Sequence, residues 1–268
     1  MRRHRAILAT ATATVTALAL AACGGSGDGS DGADAGSDLN LTDDGTLTVA
    51  TEGTYRPFTF HDDSGELVGY DVEVAEAVAE KLGLEIEFAE TQWDAIFAGL
   101  DAGRVDTIAN QVSMTPERVE KYEFSQPYTI SRGVVVVPEG DTSISSFEDL
   151  DGKTTAQSLT SNWRTLAEES GAQIEAVEGW AQSVALIEQG RVDATINDSL
   201  TVLDYLNEHP DAPIEIAAET EETSESGFVV TPERAALAEA IDGALDELRS
   251  DGTLAELSMK YFGEDVSE

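Results

Sequence analysis

A four-residue stretch that this chain uses twice constrains its fold more than any other feature. Gly103-Arg104-Val105-Asp106 returns as Gly190-Arg191-Val192-Asp193, at an offset of 87 positions (190 − 103). The same offset carries Trp93 onto Trp180 and Asn110 onto Asn197. Each copy reads as a helix ended by glycine, a tight turn and a short strand, Val105 to Ala109 and Val192 to Ile196. That pattern predicts two similar α/β lobes in one chain. In open α/β sheets ligands sit beyond the carboxyl ends of the strands. Residues 110–113 and Asn197-Asp198 are therefore placed to face one another across a cleft.

The rest of the chain alternates in the same way. Leu47 to Thr51 is a short β-type run leading into Glu52-Gly53-Thr54-Tyr55. Val72 to Leu82 carries apolar residues on one helical face, with Gly83 as a C-cap. Leu84 to Phe88 alternates like a strand, and Trp93 to Ala102 is a second helix. Thr115-Pro116-Glu117-Arg118 predicts a Thr-capped helix start with proline in its first turn. The unbroken run Val134 to Val137 is of buried-strand type. After it come strand Lys153 to Gln157, a helix from Ser161, strand Ile174 to Val177, helix Gln182 to Glu188 and strand Val192 to Ile196. A helix Ser199 to Asn207, strand Gly227 to Val230 and helices Pro232 to Leu248 and Leu254 to Phe262 finish it. Strands and helices of these lengths predict α/β units.

Residues 1–22 read as a signal peptide, with Arg2, Arg3 and Arg5 before the apolar run Ala6 to Ala22. That run ends at Leu20-Ala21-Ala22-Cys23, which resembles a bacterial lipobox, so Cys23 is expected to be lipidated. Residues 23–45 are then a lipid-anchored flexible tether, rich in Gly, Ser and Asp as far as residue 38. The acid balance is extreme, Asp+Glu 53 against Lys+Arg 15. Nucleic-acid binding is excluded, because neutralising phosphates needs basic clusters.

Hydrolytic chemistry has little to stand on. The chain has three histidines, of which His4 leaves with the leader, and the folded region has no Gly-x-Ser-x-Gly elbow. Gly152-Lys153-Thr154 imitates the end of a phosphate loop, but Phe147 stands where that loop needs glycine. One cysteine and no paired histidines leave no metal set, and no cofactor is expected. The chain does offer a recognition set for a zwitterion. Arg118 is a planar fork suited to a carboxylate, Ser113 adds a hydroxyl, and the helix start at Ser161-Asn162 offers amides to an anion. Asp198 suits an ammonium group, and Tyr55 and Trp93 suit an organic body held between rings. Thr231-Pro232-Glu233-Arg234 repeats the Arg118 tetrapeptide, where helix capping alone is expected.

Gly69-Tyr70-Asp71-Val72-Glu73-Val74 and the helix after it resemble the extracellular solute-binding proteins of amino-acid ABC importers, family 3. The resemblance runs in order through Val49 to Tyr55, Asn110 to Arg118, Phe124-Ser125-Gln126-Pro127-Tyr128 and Asp251-Gly252-Thr253-Leu254. It implies a two-lobed, type II periplasmic-binding-protein-like fold, with two hinge strands and a ligand cleft between the lobes. Residues 46–130 and 228–263 would form lobe 1, residues 131–227 lobe 2 with the hinge crossings, and 264–268 a tail. By the same resemblance Arg118 grips the ligand's α-carboxylate, helped by amides at Ser113 and Asn162. Asp198 takes the α-ammonium with Ser113 and the Gln111 carbonyl nearby, and Tyr55 and Trp93 form an aromatic clamp. Glu52 and Ser158 stand where ligand side chains are read, and Asn110, Gln111 and Thr160 are counted with the ligand-binding residues.

Ala156 to Asn162 and Ala194 to Leu200 are most similar to the cystine-binding branch. Glu52 suits the second ammonium of a double zwitterion and equally a cationic side chain such as that of arginine. The implied function is capture of a polar amino acid, L-cystine first and basic or other polar ones (arginine, glutamine) next. A monomer would deliver it to a membrane permease at the outer face of the cell membrane. The runner-up is an enzyme, since the fold also resembles cyclohexadienyl dehydratases. A sensory module is a third reading.

Overall fold

Both copies of the repeated stretch fold alike in the computed structural model, which describes residues 39–268. The leader, Cys23 and the tether as far as residue 38 lie outside the described residues. Trp93–Asp101 and Trp180–Glu188 are the two helices. Gly103 and Gly190 follow them at φ 65° and 63°, a conformation that favours glycine. The next amides reach back into the helix, Arg104 N to Gly99 O and Arg191 N to Leu186 O. Val105 and Val192 are then buried. Asp106 and Asp193 each accept a 2.8 Å bond from a strand amide, Thr48 N and Thr154 N respectively. Each aspartate also donates its own N–H to the carbonyl of that same strand residue. The repeated motif is thus a folding device that staples the turn after a helix to the central strand.

The two sheets so organised have matching orders. In the first, Thr46–Thr51 runs parallel between Glu85–Glu90 and Thr107–Ile108, and Val229–Val230 and Glu123–Phe124 complete the sheet. In the second, Thr154–Gln157 runs parallel between Gln173–Ala176 and Ala194–Asp198, followed by antiparallel Gly133–Pro138 and Ile214–Glu219. The register repeats too: Ala50 lies opposite Ile108, and Ala156 opposite Thr195.

Each sheet is covered on both faces. Helices Tyr70–Leu82, Ala235–Ser250 and Thr253–Phe262 bury one face of the first sheet around Val49, Val78 and Leu245, while Trp93–Asp101 closes the other around Ile96 and Leu100. In the second, Val134 and Val136 enter one core and Val135 and Val137 the other, the period of two expected of a strand buried on both sides. A two-stranded ladder, Thr129–Ser131 against Ser224–Ser226, joins the lobes.

Several expectations change. The tether expected through residue 45 ends sooner: Leu39 is buried, and Thr42 donates its N–H (2.7 Å) and hydroxyl (2.8 Å) to Asp106. The Thr231-Pro232-Glu233-Arg234 copy does more than cap a helix. Pro232–Arg234 is a 3-10 turn that buries Arg234 beside Asp106 at 3.2 Å. Arg234 also donates to Asn40 O, Val105 O and Thr42 Oγ1 at 2.8, 2.7 and 3.0 Å. In the tail, Val266 and Ser267 are buried, and Val266 O accepts from Ile130 N in the hinge ladder. Strand Ile214–Glu219 escaped the sequence reading because only Ile214 is fully buried, so its apolar alternation is faint. Three strands of two or three residues, Thr54–Tyr55, Thr59–His61 and Leu67–Val68, are too short to show a period.

Candidate functional site between the lobes

The carboxyl ends of the parallel strands converge on the loop Glu52 to Tyr55, and the two offset-related asparagines hold it from opposite sides. Asn110 Oδ1 accepts from Thr51 Oγ1 (3.1 Å) and Glu52 N (2.8 Å). With its oxygen committed, its Nδ2 donates to Glu52 Oε2 at 2.7 Å. Across the cleft, Asn197 Oδ1 accepts from Tyr55 Oη at 2.9 Å and from Asp198 N at 2.7 Å. Burial pushes the Glu52 carboxyl up to about 7. Among the described residues, no lysine, arginine or histidine lines the cleft around it.

A strut lies behind. Asp71, in the first turn of helix Tyr70–Leu82, accepts from Gln111 N (2.7 Å) and Gln111 Nε2 (2.6 Å). Gln111 stands at φ 50°, which these bonds hold in place. Burial raises Asp71 to about 7. Gly69 precedes the strut at φ 135°, where a Cβ would lie 2.2 Å from the Phe58 carbonyl oxygen. The Gly-Tyr-Asp motif thus feeds the cleft wall from beneath.

The cleft holds a cavity of about 80 Å³. Seven of the expected residues line it: Glu52, Tyr55, Trp93, Asn110 and Gln111 from the first lobe, and Ser158 and Asn162 from the second. Arg118 and Thr160 line an adjoining groove that shares Ser161, Asn162 and Trp163 with it. Arg118 donates to Ser113 O (3.0 Å) and Thr160 O (3.4 Å), with its guanidinium 5.3 Å from the ring centres of Trp93 and Phe97. Burial lowers it to about 10, so it stays cationic at neutral pH. Ser113 and Asp198 line neither space. Ser113 bridges to Ser226 and accepts from Ser224 Oγ at 3.0 Å in the hinge region. Asp198 caps helix Ser199–Glu208 through Leu200 N (2.9 Å) and accepts from Ser131 Oγ. Burial raises it to about 6.

The sequence reading missed Trp163, Trp180, Gln157 and Thr195, all in the cleft lining. Trp180 had a usable signal, since the offset that aligns the repeats makes it the counterpart of Trp93. Both rings stand edge-on to an aromatic neighbour at 82°, Trp93 on Phe97 and Trp180 on Tyr205. Both indole N–H groups are buried without a partner among the described residues. Among the described residues no group of three or more His, Cys, Asp or Glu is placed to hold a metal ion. No helix among them is long and apolar enough to cross a membrane.

Comparison with known proteins gives this geometry a context. The model of the bacterial extracellular solute-binding proteins, family 3, matches residues 47–264. A probable amino-acid ABC transporter-binding protein of Haemophilus influenzae is 53% identical over 223 residues, 83% of this chain and 87% of that one. The L-cystine-binding protein TcyA of Bacillus subtilis is 51% identical over 225 residues, 84% of each chain. Among solved structures, the L-cystine solute receptor of Neisseria gonorrhoeae in its unliganded open conformation is 50% identical, with a TM-score of 0.58 over 83% of this chain and 95% of that one. An ancestral arginine-binding protein bound to arginine is only 35% identical but reaches 0.77, over 82% and 99%. Identity alone would order these two the other way. The bonds that Tyr55 and Arg118 make across the cleft fit lobes set nearer to the ligand-bound arrangement than to the open one.

Proposed function

We propose, from the premise that this chain belongs to the bacterial extracellular solute-binding proteins, family 3, that it captures L-cystine outside the cytoplasm and delivers it to the permease of an amino-acid ABC importer. The observation that carries the ligand is Glu52. A half-buried carboxylate held by Asn110, in a cleft that no basic side chain of the described residues lines, asks for a cation from the ligand. Arg118 and the helix start at Asn162 suit a carboxylate at the other end. Cystine, with an ammonium and a carboxylate at each end, meets both demands, and Tyr55, Trp93 and Trp180 line the space for its body. The cystine-binding proteins among the relatives support the same choice.

Arginine is the second reading, because a guanidinium also satisfies Glu52 and a structural neighbour binds it. In both readings Ser158 and Thr160 close the second lobe over the ligand. Asp198 follows Asn197 and lines neither space here, so it would act on the ammonium only from a greater distance than Glu52. Ser113 holds Arg118 through its carbonyl. Lipidation of Cys23 would keep the monomer at the outer face of the membrane.

Calorimetric titration of the protein lacking residues 1–23, stripped of ligand by unfolding and refolding, tests the assignment. Saturable binding of L-cystine, tighter than that of arginine or glutamine, is the expected result. Preference for arginine selects the second reading, and a folded sample silent to every amino acid overturns both. Metabolic labelling with a radioactive fatty acid, lost on Cys23→Ala, tests the anchor.

A further inference from the structure

Asp94 is the second residue of helix Trp93–Asp101, where an acidic side chain ordinarily serves the helix dipole. Here its carboxylate is used otherwise. Oδ1 accepts from Thr160 N at 3.0 Å and Thr160 Oγ1 at 2.8 Å, and Oδ2 from Leu159 N at 3.3 Å. All three donors belong to the opposite lobe. The carbonyl of the same Thr160 accepts from Arg118. One turn of lobe 2 is therefore held at its amides by an acid of lobe 1 and at its carbonyl by an arginine of lobe 1.

The repeat shows that the fold does not require this acid. At the 87-residue offset (190 − 103) Asp94 falls on Ala181, and helix Trp180–Glu188 starts at the equivalent tryptophan without a carboxylate there. Nor does Asp94 line the main cleft. Its bonds run from protein to protein, so they contribute alike whichever ligand is enclosed. They also form only when the lobes meet.

We propose that Asp94 is the closing latch of the two lobes, a positioning residue that sets how long any ligand is held without choosing which. Its grip fixes the Ser158 to Asn162 turn, and with it the part of the lining that this turn brings to the ligand. The lifetime of the closed form then depends on a contact remote from the ligand's distinguishing groups, while Glu52 discriminates. The proposal rests on the two-lobed fold and extends the amino-acid reading of the cleft.

The test is a double-mutant cycle on the full folded region. Asp94→Ala is expected to weaken L-cystine and L-arginine by the same factor, about ten-fold, through faster dissociation, and to leave their affinity ratio unchanged. Thr160→Val removes only the hydroxyl bond and is expected to cost about two- to three-fold, with no added loss when placed on Asp94→Ala. A changed ratio between the two ligands, an unchanged dissociation rate, or fully additive losses overturns the latch. Hydrogen exchange at Leu159 and Thr160 amides gives a reading that does not depend on ligand identity. It is measured with and without a panel of amino acids. Asp94→Ala is expected to speed exchange at these two amides and spare the core strands. Equal exchange in both proteins under both conditions overturns the latch even if no amino acid binds, an outcome that would separately refute the cystine and arginine readings.

Discussion

If Glu52 receives the ligand's cation, ligand affinity must follow its ionisation. Burial holds its carboxyl near 7, so about half of the molecules carry the charge at pH 7.0 and about 3% at pH 5.5. A ligand that needs the carboxylate should then bind about fifteen-fold more weakly at the lower pH, roughly 1.6 kcal/mol. Asp198, raised to about 6, adds about four-fold over the same span if it also faces the ammonium. The sign is set by the binding partner: the cation favours the deprotonated acid, so affinity rises with pH and binding at pH 6 releases a proton. For the ligand-free fold the direction reverses. Acids raised by burial make the folded state hold more protons, so stability falls as pH climbs from the ordinary carboxylate range through 7. Calorimetry at pH 7.0 and 5.5, in two buffers of different ionisation enthalpy, reads both the affinity and the proton count. Glu52→Gln should lower affinity at pH 7.0 by about ten-fold or more, since a charge-assisted bond is worth about 1.5–3 kcal/mol. It should also reduce the pH dependence to the part owed to Asp198. Wild-type affinity that is flat across this range, or a full slope surviving in Glu52→Gln, refutes the assignment.

Two further outcomes separate binding from folding in residues that the sequence makes look alike. Arg118→Ala is expected to abolish amino-acid binding at an unchanged melting temperature, whereas Arg234→Ala should bind normally when cold but lose about 3–5 kcal/mol of stability, because it strands the fully buried Asp106; chemical denaturation beside titration checks both. Asp106→Ala should be far more destabilising than Asp193→Ala, although the two occupy equivalent positions in the repeat, because Asp193 is exposed and has no arginine to leave unpaired; equal shifts in the urea midpoint would show that the strand staple alone carries the effect.

The repeat made the architecture legible because its residues answer to local rules. A left-handed glycine, a buried valine and an aspartate returning to the next strand need only neighbours a few ångströms away, and both lobes supply them. The cleft was legible where the offset could be applied to it, which gave Asn110 and Asn197. Other roles depended on pairings across the chain that no local pattern announces. Arg118 and Arg234 share one tetrapeptide, yet one stacks near Trp93 beside the cleft and the other enters a core against Asp106. What separates them is the partner beyond the turn, 64 positions from Asp106 in the case of the Thr42 strap. Trp180 is marked by the same offset, but a tryptophan at a helix start suits core packing equally well, and only the three-dimensional arrangement brings it to the cleft.

The symmetry of the lobes and its breaking explain how one cleft both closes and selects. Asn110 and Asn197, equivalent by the repeat, grip the same loop from the two sides, Asn110 at Glu52 and Asn197 at Tyr55. A loop held in this way feels closure directly, because the Tyr55 bond exists only when the second lobe arrives. Glu52, three residues earlier on the same loop, has no counterpart in the opposite lobe: the strand that corresponds to its own, Thr154–Gln157, leads into Ser158. Asp94 departs from the repeat in the same sense, since Ala181 holds the equivalent position. The two carboxylates that break the symmetry thus stand on one lobe, one proposed for the ligand and one bonded to the other lobe. Mutating them together should therefore give losses in binding energy that are additive apart from the mutual repulsion of the two acids, unlike Asp94 with Thr160, because the ligand's cation and the Leu159-Thr160 turn are separate partners. Strong coupling between Glu52→Gln and Asp94→Ala, measured as cystine affinities in a double-mutant cycle, would mean that selection and closure are a single event in this cleft.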